Sequence, residues 1–290
     1  MTDIADSRTA RRARPGDRTP FGRPGRGFGS LVAVAGLLAL FLGLPVLTLV
    51  GRSVLDGSLI EVSGSGAVLD ALSLSLTTTA ISLVLTVVLG LPLAILLARR
   101  TFRAKWLIEA IVDLPIVLPP TVAGLALLLV FGRRGLLGEP LQVLGLEIPF
   151  TTIAVILAQT FVSAPFFVRS ARTGLAAVDR ELEDAARVDG ASEARLFRSI
   201  TLPLAAGALS AGLVMSWARA LGEFGATIMF AGNFGGRTQT LPLVVYGEFQ
   251  AGDLDAAIAA AAILVLAAFG VLMAVRVLHW GRVLDARGVG

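Results

Sequence analysis

LEDAARVDGASEARLFRSITLP, residues Leu182 to Pro203, is the only long polar segment between apolar spans, and it reads as two short helices meeting at a glycine. Asp179 is placed to cap the first helix, Glu181 and Glu183 suit the positive end of its dipole, and Arg187 suits the far end. Leu175, Val178, Leu182, Ala185 and Ala186 recur at helical spacing and predict one apolar face. Gly190 stands where a left-handed stop is wanted. Leu196, Phe197 and Ile200 form a second stripe, after which Pro203 restarts the chain. Two small helices crossing at a glycine make a compact knob.

What flanks the knob sets the class. Hydrophobic residues make up 55% of the 290, the mean hydropathy is +0.81, and apolar runs of about 20 residues recur. At ~1.5 Å per residue each run can cross ~30 Å of hydrocarbon. The expected fold class is an all-α polytopic membrane protein with six transmembrane helices: Leu31 to Val50, Ala67 to Ala98, Trp106 to Phe131, Thr151 to Val168, Leu204 to about Phe230, and Ala256 to Val277. Residues 1–29 read as a disordered basic tail, 30–66 as the first span with an external loop, 67–280 as the transmembrane domain with its loop at 175–203, and 281–290 as a second tail. The first span lacks a small-x-small cleavage site and is expected to stay attached.

Composition also excludes functions. Lys105 is the only lysine and sits in Phe-Arg-Ala-Lys-Trp, so the chain carries no Gly-x-x-x-x-Gly-Lys-Ser/Thr phosphate loop and no ATP site of that type. Cysteine is absent and His279 is the only histidine, which excludes disulfides and Cys/His metal sites. No nucleophile or carboxylate cluster stands at catalytic spacing, so the chain is not read as an enzyme. The arginines of the first tail have no interleaved aromatics and are read as holding it at lipid or in the cytosol, with no nucleic acid as partner.

Charge gives orientation. With six spans, both termini, the Arg99–Lys105 loop and the knob share one face, which carries twenty of the twenty-five basic residues. Arg52, Arg133, Arg134 and Arg237 fall on the other face, and Arg219 lies within a span. Positive-inside therefore predicts a cytosolic knob and cytosolic termini, with residues 51–66, 132–149 and 232–255 outside. Ser73, Ser75, Thr77, Thr78, Thr79, Ser82 and Thr86 predict close helix packing in the second span, and Pro115, Pro119 and Pro120 predict an interrupted third.

Asp184-Ala185-Ala186, three residues, Gly190, nine residues, then Ile200-Thr-Leu-Pro203 resembles the cytoplasmic EAA loop of ABC-importer permeases, with Asp184 where that family usually has Glu. Leu114 to Gly124, Gly132-Arg-Arg-Gly135, Arg219 to Thr227 and Gly236 to Pro242 resemble its oxyanion branch, the molybdate-importer permeases; sulfate and tungstate permeases share much of the pattern. The resemblance covers residues 68–275 and leaves out the tail and the first span. It implies the MetI-like fold of type I importer permeases in the cytoplasmic membrane of a bacterium. It implies a homodimer around a central pathway, two cytosolic ABC ATPase subunits that bind ATP and Mg, and an extracytoplasmic oxyanion-binding protein, with no cofactor in this chain itself. Glu183, Asp184, Ala185, Ala186, Gly190, Ile200 and Pro203 would then couple to the ATPase.

For the pathway, Ser216, Thr227 and Asn233 are candidates by donor type. Arg219 and Glu223, four apart, are expected on one face of the fifth helix, either lining the pathway or neutralising each other to hold helices in register. A gradient-driven carrier or channel is the alternative from another class. It would have no use for a knob that docks an ATPase.

Overall fold

The computed structural model describes residues 26–287, with side chains described for residues 30–274. Most of the expected first tail, residues 1–25, and the end of the second, residues 288–290, lie outside the described residues. Every described element is helical: α1 (Arg26–Leu55), α2 (Ser58–Ser63), α3 (Gly66–Arg99), α4 (Lys105–Val117), α5 (Pro120–Phe131), α6 (Gly138–Val143), α7 (Thr152–Ala176), α8 (Arg180–Val188), α9 (Glu193–Leu196), a π-turn (Phe197–Thr201), α10 (Leu202–Leu221), α11 (Gly225–Ala231), α12 (Leu241–Ala251) and α13 (Leu254–Arg287). Among the described residues five helices are long and apolar enough to cross a membrane, or six if the bent pair α4 and α5 counts as one span.

The chain divides into two compact units, residues 1–48 and 49–290. In the first, α1 exposes Leu31, Leu37, Phe41 and Leu47, an apolar surface suited to hydrocarbon. In the second, α7 is the axis. One half of it packs Ala154, Val155, Ala158 and Val162 against Ala123 and Leu127 of α5 and Phe230 of α11. Its other half packs Phe167, Val168, Ala171 and Leu175 against Ala94 and Leu97 of α3 and Ala205 of α10. A separate cluster joins Val68 and Ala71 of α3 to Leu241 and Val244 of α12 and Ala260 of α13.

Lipid gives helices little hydrophobic reason to associate, so small side chains and hydroxyls do the joining. Ser75, Thr78, Thr79, Ser82 and Thr86 are all buried. The Gln159 Nε2 donates to Thr79 Oγ1 at 3.3 Å, Thr160 Oγ1 to Ser82 Oγ at 3.0 Å, and the Leu241 amide to Ser75 Oγ at 2.7 Å. Each such bond contributes about 0.6 kcal/mol in a membrane, so the set acts through number and register.

The interruption expected in the third span is present, with Pro115 taking no part in it, and three other expectations need correction. The third span is a bent pair: α4 and α5 meet at Leu118-Pro119 with a 119° bend, while Pro115 sits inside α4 without ending it. Pro120 opens α5, where its missing N–H costs nothing. The fifth span breaks at Gly222–Phe224, and Glu223 therefore lies past the end of α10. The expected external loop 51–66 is largely helical, as the end of α1 and then α2. Finally, α13 continues to Arg287, through most of the expected second tail.

Candidate functional site

The knob grows from local rules. Asp179 Oδ1 accepts from the Glu181 amide at 2.9 Å and starts α8; Glu181 and Glu183 occupy its first turn and Arg187 its last. Asp189 closes the helix, and Gly190 follows at φ +81°, a left-handed stop that favours glycine. Ser192 Oγ then accepts from the Arg195 amide at 3.4 Å and starts α9. From there the helix runs on through the π-turn into α10 without restarting, with Pro203 in the first turn of α10, where a proline is tolerated.

The expected apolar stripe is split. Leu175 and Val178 are buried against α3 and α10, whereas Leu182 is 50% exposed and Ala185 is exposed, because the chain turns between α7 and α8 and rotates the face outward; Val188, outside the expected stripe, is 88% exposed. Asp184, Ala185, Gly190 and Pro203 are exposed; Ala186 and Ile200 are half-buried. Glu183 differs from the other six coupling candidates, being the one buried residue of α8. Its Oε1 accepts from Arg99 Nη2, at the end of α3, at 2.5 Å and from Thr201 Oγ1, in the π-turn, at 2.6 Å. One carboxylate thus ties α8 to two membrane helices. Sequence reasoning placed Arg99 only in a basic loop and passed over Thr201; nothing in Leu-Glu-Asp says which carboxylate turns inward.

On the outer side of the knob Arg187 bridges the two short helices. Its Nη1 reaches Asp184 at 2.7 Å, while Nε and Nη2 hold both Glu193 oxygens at 2.7 and 3.2 Å. The hydrogen bond from Glu193 foremost, helped by Asp184, raises the Arg187 guanidinium above its ordinary range; the same bond lowers the Glu193 carboxyl. The cluster is solvent-exposed and fixes the angle of the turn more than it stabilises the protein.

Where the pathway candidates fall is informative. Ser216 is buried and donates to the Ser163 carbonyl at 2.8 Å, and Thr227 is buried in α11; both sit inside helix packing, because residue type alone does not reveal the face. Asn233 is half-buried, its Nδ2 3.5 Å from the Leu243 carbonyl. Arg219 Nη1 lies 2.6 Å from Glu223 Oε2, and Glu223 Oε1 accepts from the Ala226 amide at 2.7 Å, so the carboxylate spans the break between α10 and α11. Glu223 is wholly buried, whereas 29% of the Arg219 side chain is exposed. This break interlocks with the other one: a Cβ on Gly225 would lie 2.6 Å from Pro120 Cβ, and one on Gly124 would lie 2.6 Å from the Ala226 carbonyl oxygen. Glu109 and Asp113 of α4 pair across to Arg172 and Arg169 of α7, at 2.8 and 3.6 Å.

Comparison with known proteins identifies the family and the fold. The family described as "Binding-protein-dependent transport system inner membrane component" matches residues 90–281. The molybdenum transport system permease protein of Mycobacterium tuberculosis is 44% identical over 205 residues, covering 71% of this chain and 77% of its own. A probable molybdenum ABC transporter permease protein of Haloferax volcanii is 38% identical over 250 residues, covering 86% of this chain and 90% of its own. Among solved structures, a bacterial ABC transporter involved in import of the acidic polysaccharide alginate superposes with a TM-score of 0.68 at 17% identity, over 87% of this chain and 93% of that one, a likeness of fold.

Proposed function

The chain belongs to the family of binding-protein-dependent transport system inner membrane components, and from that membership we propose that it is the permease subunit of an ATP-driven molybdate importer. Its fold is the all-α, MetI-like fold of type I ABC-importer permeases in the inner membrane. The relatives named for molybdenum transport support the cargo. The single observation that carries the mechanism is the knob at 180–201, which turns an apolar edge, Leu182 and Val188, to solvent while Glu183 fastens it to Arg99 and Thr201.

An exposed apolar edge on a polar element asks for a partner. A cytosolic ATPase subunit beneath each of two permease copies supplies it and binds the ATP and Mg that this chain, with no phosphate loop, does not. The coupling surface is then Asp184, Ala185, Ala186 and Gly190, with Ile200 and Pro203 at its root, and Glu183 acts behind it as a strut. Motion of the ATPase enters α8, passes through one carboxylate, and reaches α3 and α10 together. An extracytoplasmic binding protein delivers the anion on the far side, and both termini lie in the cytosol. Within the span Arg219 is the pathway candidate whose exposure fits the role, with Glu223 tempering its charge so that an anion can leave as well as bind.

The test is uptake into vesicles by the permease reconstituted with its ATPase and binding protein, with tungstate and sulfate competing against molybdate. ATP-dependent uptake that only sulfate displaces would overturn the cargo, and uptake without the ATPase would overturn the class. Labelling of Ser192→Cys, but not of Ser58→Cys, by an impermeant thiol reagent in intact cells would overturn the orientation.

A further inference from the structure

On the knob side α3 ends in two arginines. Arg99 is its last helical residue, and Arg100 follows it in extended backbone. Both line a cavity of about 430 Å³ between the end of this span and the knob. Ile95, one turn inside α3, and Leu175, in the last turn of α7, begin an apolar wall that Leu196 and Phe197 continue. The rest of the lining is largely charged, with Arg180 and Arg187 joining the first two arginines.

These charges divide into used and unused. Glu183 is taken by Arg99 and Thr201, and Arg187 takes both Asp184 and Glu193, so every carboxylate of the lining already has its cation. Arg100 and Arg180 make no hydrogen bond or ion pair among the described residues. Arg180 is moreover the first residue of α8, the positive end of a helix dipole, where a cation is disfavoured. Two guanidiniums without an acceptor thus stand over an apolar wall at the end of a membrane span. Their complement is an anionic group carried on an apolar tail.

We propose that this cavity holds the phosphate of an anionic phospholipid from the cytoplasmic leaflet, with Arg100 and Arg180 on its oxygens and the head of an acyl chain against Ile95 and Phe197. The proposal takes from the importer reading only its orientation, the knob in the cytosol. Basic pockets beside spans on that side suit such headgroups, and a guanidinium matches phosphate through two parallel N–H bonds. A free anion fits less well. Three carboxylates share the lining, and at physiological ionic strength exposed cations are screened within ~8 Å. A lipid is already concentrated in the leaflet beside the cavity, so a weaker attraction suffices. Bound there, it touches α3 through Arg100 and α8 through Arg180, both sides of the Glu183 strut, and leaves Ala185, Ala186 and Gly190, which do not line the cavity, free to dock.

The experiment places the permease–ATPase complex in phosphatidylcholine nanodiscs with a trace of phosphatidylglycerol that carries a photoactivatable group at the head of its acyl chain. Crosslinks to residues 95–100 and 193–201 are counted by mass spectrometry for wild type and for Arg100→Gln with Arg180→Gln, and again with phosphatidylcholine bearing the same label. Both arginines are exposed, so the variant folds, and its ATP hydrolysis in pure phosphatidylcholine stays at the wild-type value. In wild type phosphatidylglycerol is expected to crosslink about 10-fold more than phosphatidylcholine, and in the variant the two should be equal. Equal crosslinking of both lipids in wild type, or a variant within about twofold of wild type, overturns the proposal. Displacement by millimolar inorganic phosphate, beyond chloride at the same ionic strength, overturns it in favour of a free-anion site. Crosslinking that occurs in the permease alone and vanishes in the complex gives the cavity to the ATPase and also overturns it. The preference for phosphatidylglycerol in a complex that shows no ATP-dependent uptake leaves the lipid site standing and overturns the importer reading.

Discussion

Two breaks in the helical chain use glycine for opposite ends. At Gly190 an added Cβ meets nothing within 4 Å, and the residue is glycine because φ is +81°. At Gly124 and Gly225, where α5 and α11 cross, an added Cβ would collide with Ala226 or Pro120. The first break is open, with its apolar edge in solvent; the second is closed, with the neighbouring carboxylate of Glu223 wholly buried. An open break leaves room for another molecule to push on it. A closed one locks two interrupted helices so that a push moves them as a unit. On the importer reading proposed above, the contrast would separate what couples from what must stay rigid, and it can be broken by mutation.

The largest effect is expected at the closed break. Gly124→Val drives side-chain carbons into the Ala226 backbone, an overpacking that costs about 4 kcal/mol or more in a site with no slack. Folded, monodisperse protein on size exclusion in detergent should be nearly absent, and normal yield would mean the two breaks are not locked. Arg219→Ala comes next, leaving Glu223 buried without its cation at a cost of about 3 to 5 kcal/mol unless it takes up a proton. Assembly should fall, and Arg219→Ala with Glu223→Ala should restore it. If the restored protein assembles but carries no anion, Arg219 belongs to the pathway; if it transports normally, the pair is structural.

At the knob the effects shrink and change in kind. Glu183→Ala removes the strut and leaves Arg99, itself 19% exposed, short of an acceptor, for about 2 to 3 kcal/mol. The spans should insert normally while ATP hydrolysis persists with uptake lost; hydrolysis and uptake falling in step would deny the strut its role. Gly190→Val strains the backbone by about 1 to 2 kcal/mol and fills the open turn. Uptake and ATPase copurification should drop far more than membrane expression, and Asp184→Ala should do less.

Smallest is Glu193→Gln. Its carboxyl is lowered by Arg187, so the clamp contributes above the ordinary glutamate pKa of about 4.3 and is lost as pH falls through the lower folded value. Between about pH 6 and 8, thermal unfolding of the wild type should therefore show no change from this group. A transition there would place another titrating group in the knob.

Much of this was legible in the residues. The order of apolar runs, the cap at Asp179, the stop at Gly190 and the hydroxyl seam of the second span depend on local periodicity and backbone preference, which a chain carries wherever it goes. The candidate pathway fared differently: Ser216 and Thr227 are donors by type, yet their side chains point into helix packing. Glu183 and Asp184, adjacent in sequence, also divided, one to the interior and one to solvent.

Membrane-spanning helices and one polar knob follow from the residues alone, because hydrophobic length and helix signals act over a turn or two. Folding in three dimensions adds the rest: α4 and α5 meet at a bend of 119°, Glu183 meets Arg99 across 84 positions, and Arg133, Arg134 and Arg237 share one cavity. Those facts depend on which faces of distant helices meet. Helix geometry sets where each side chain points on its own helix, but only packing against the others decides what it points at.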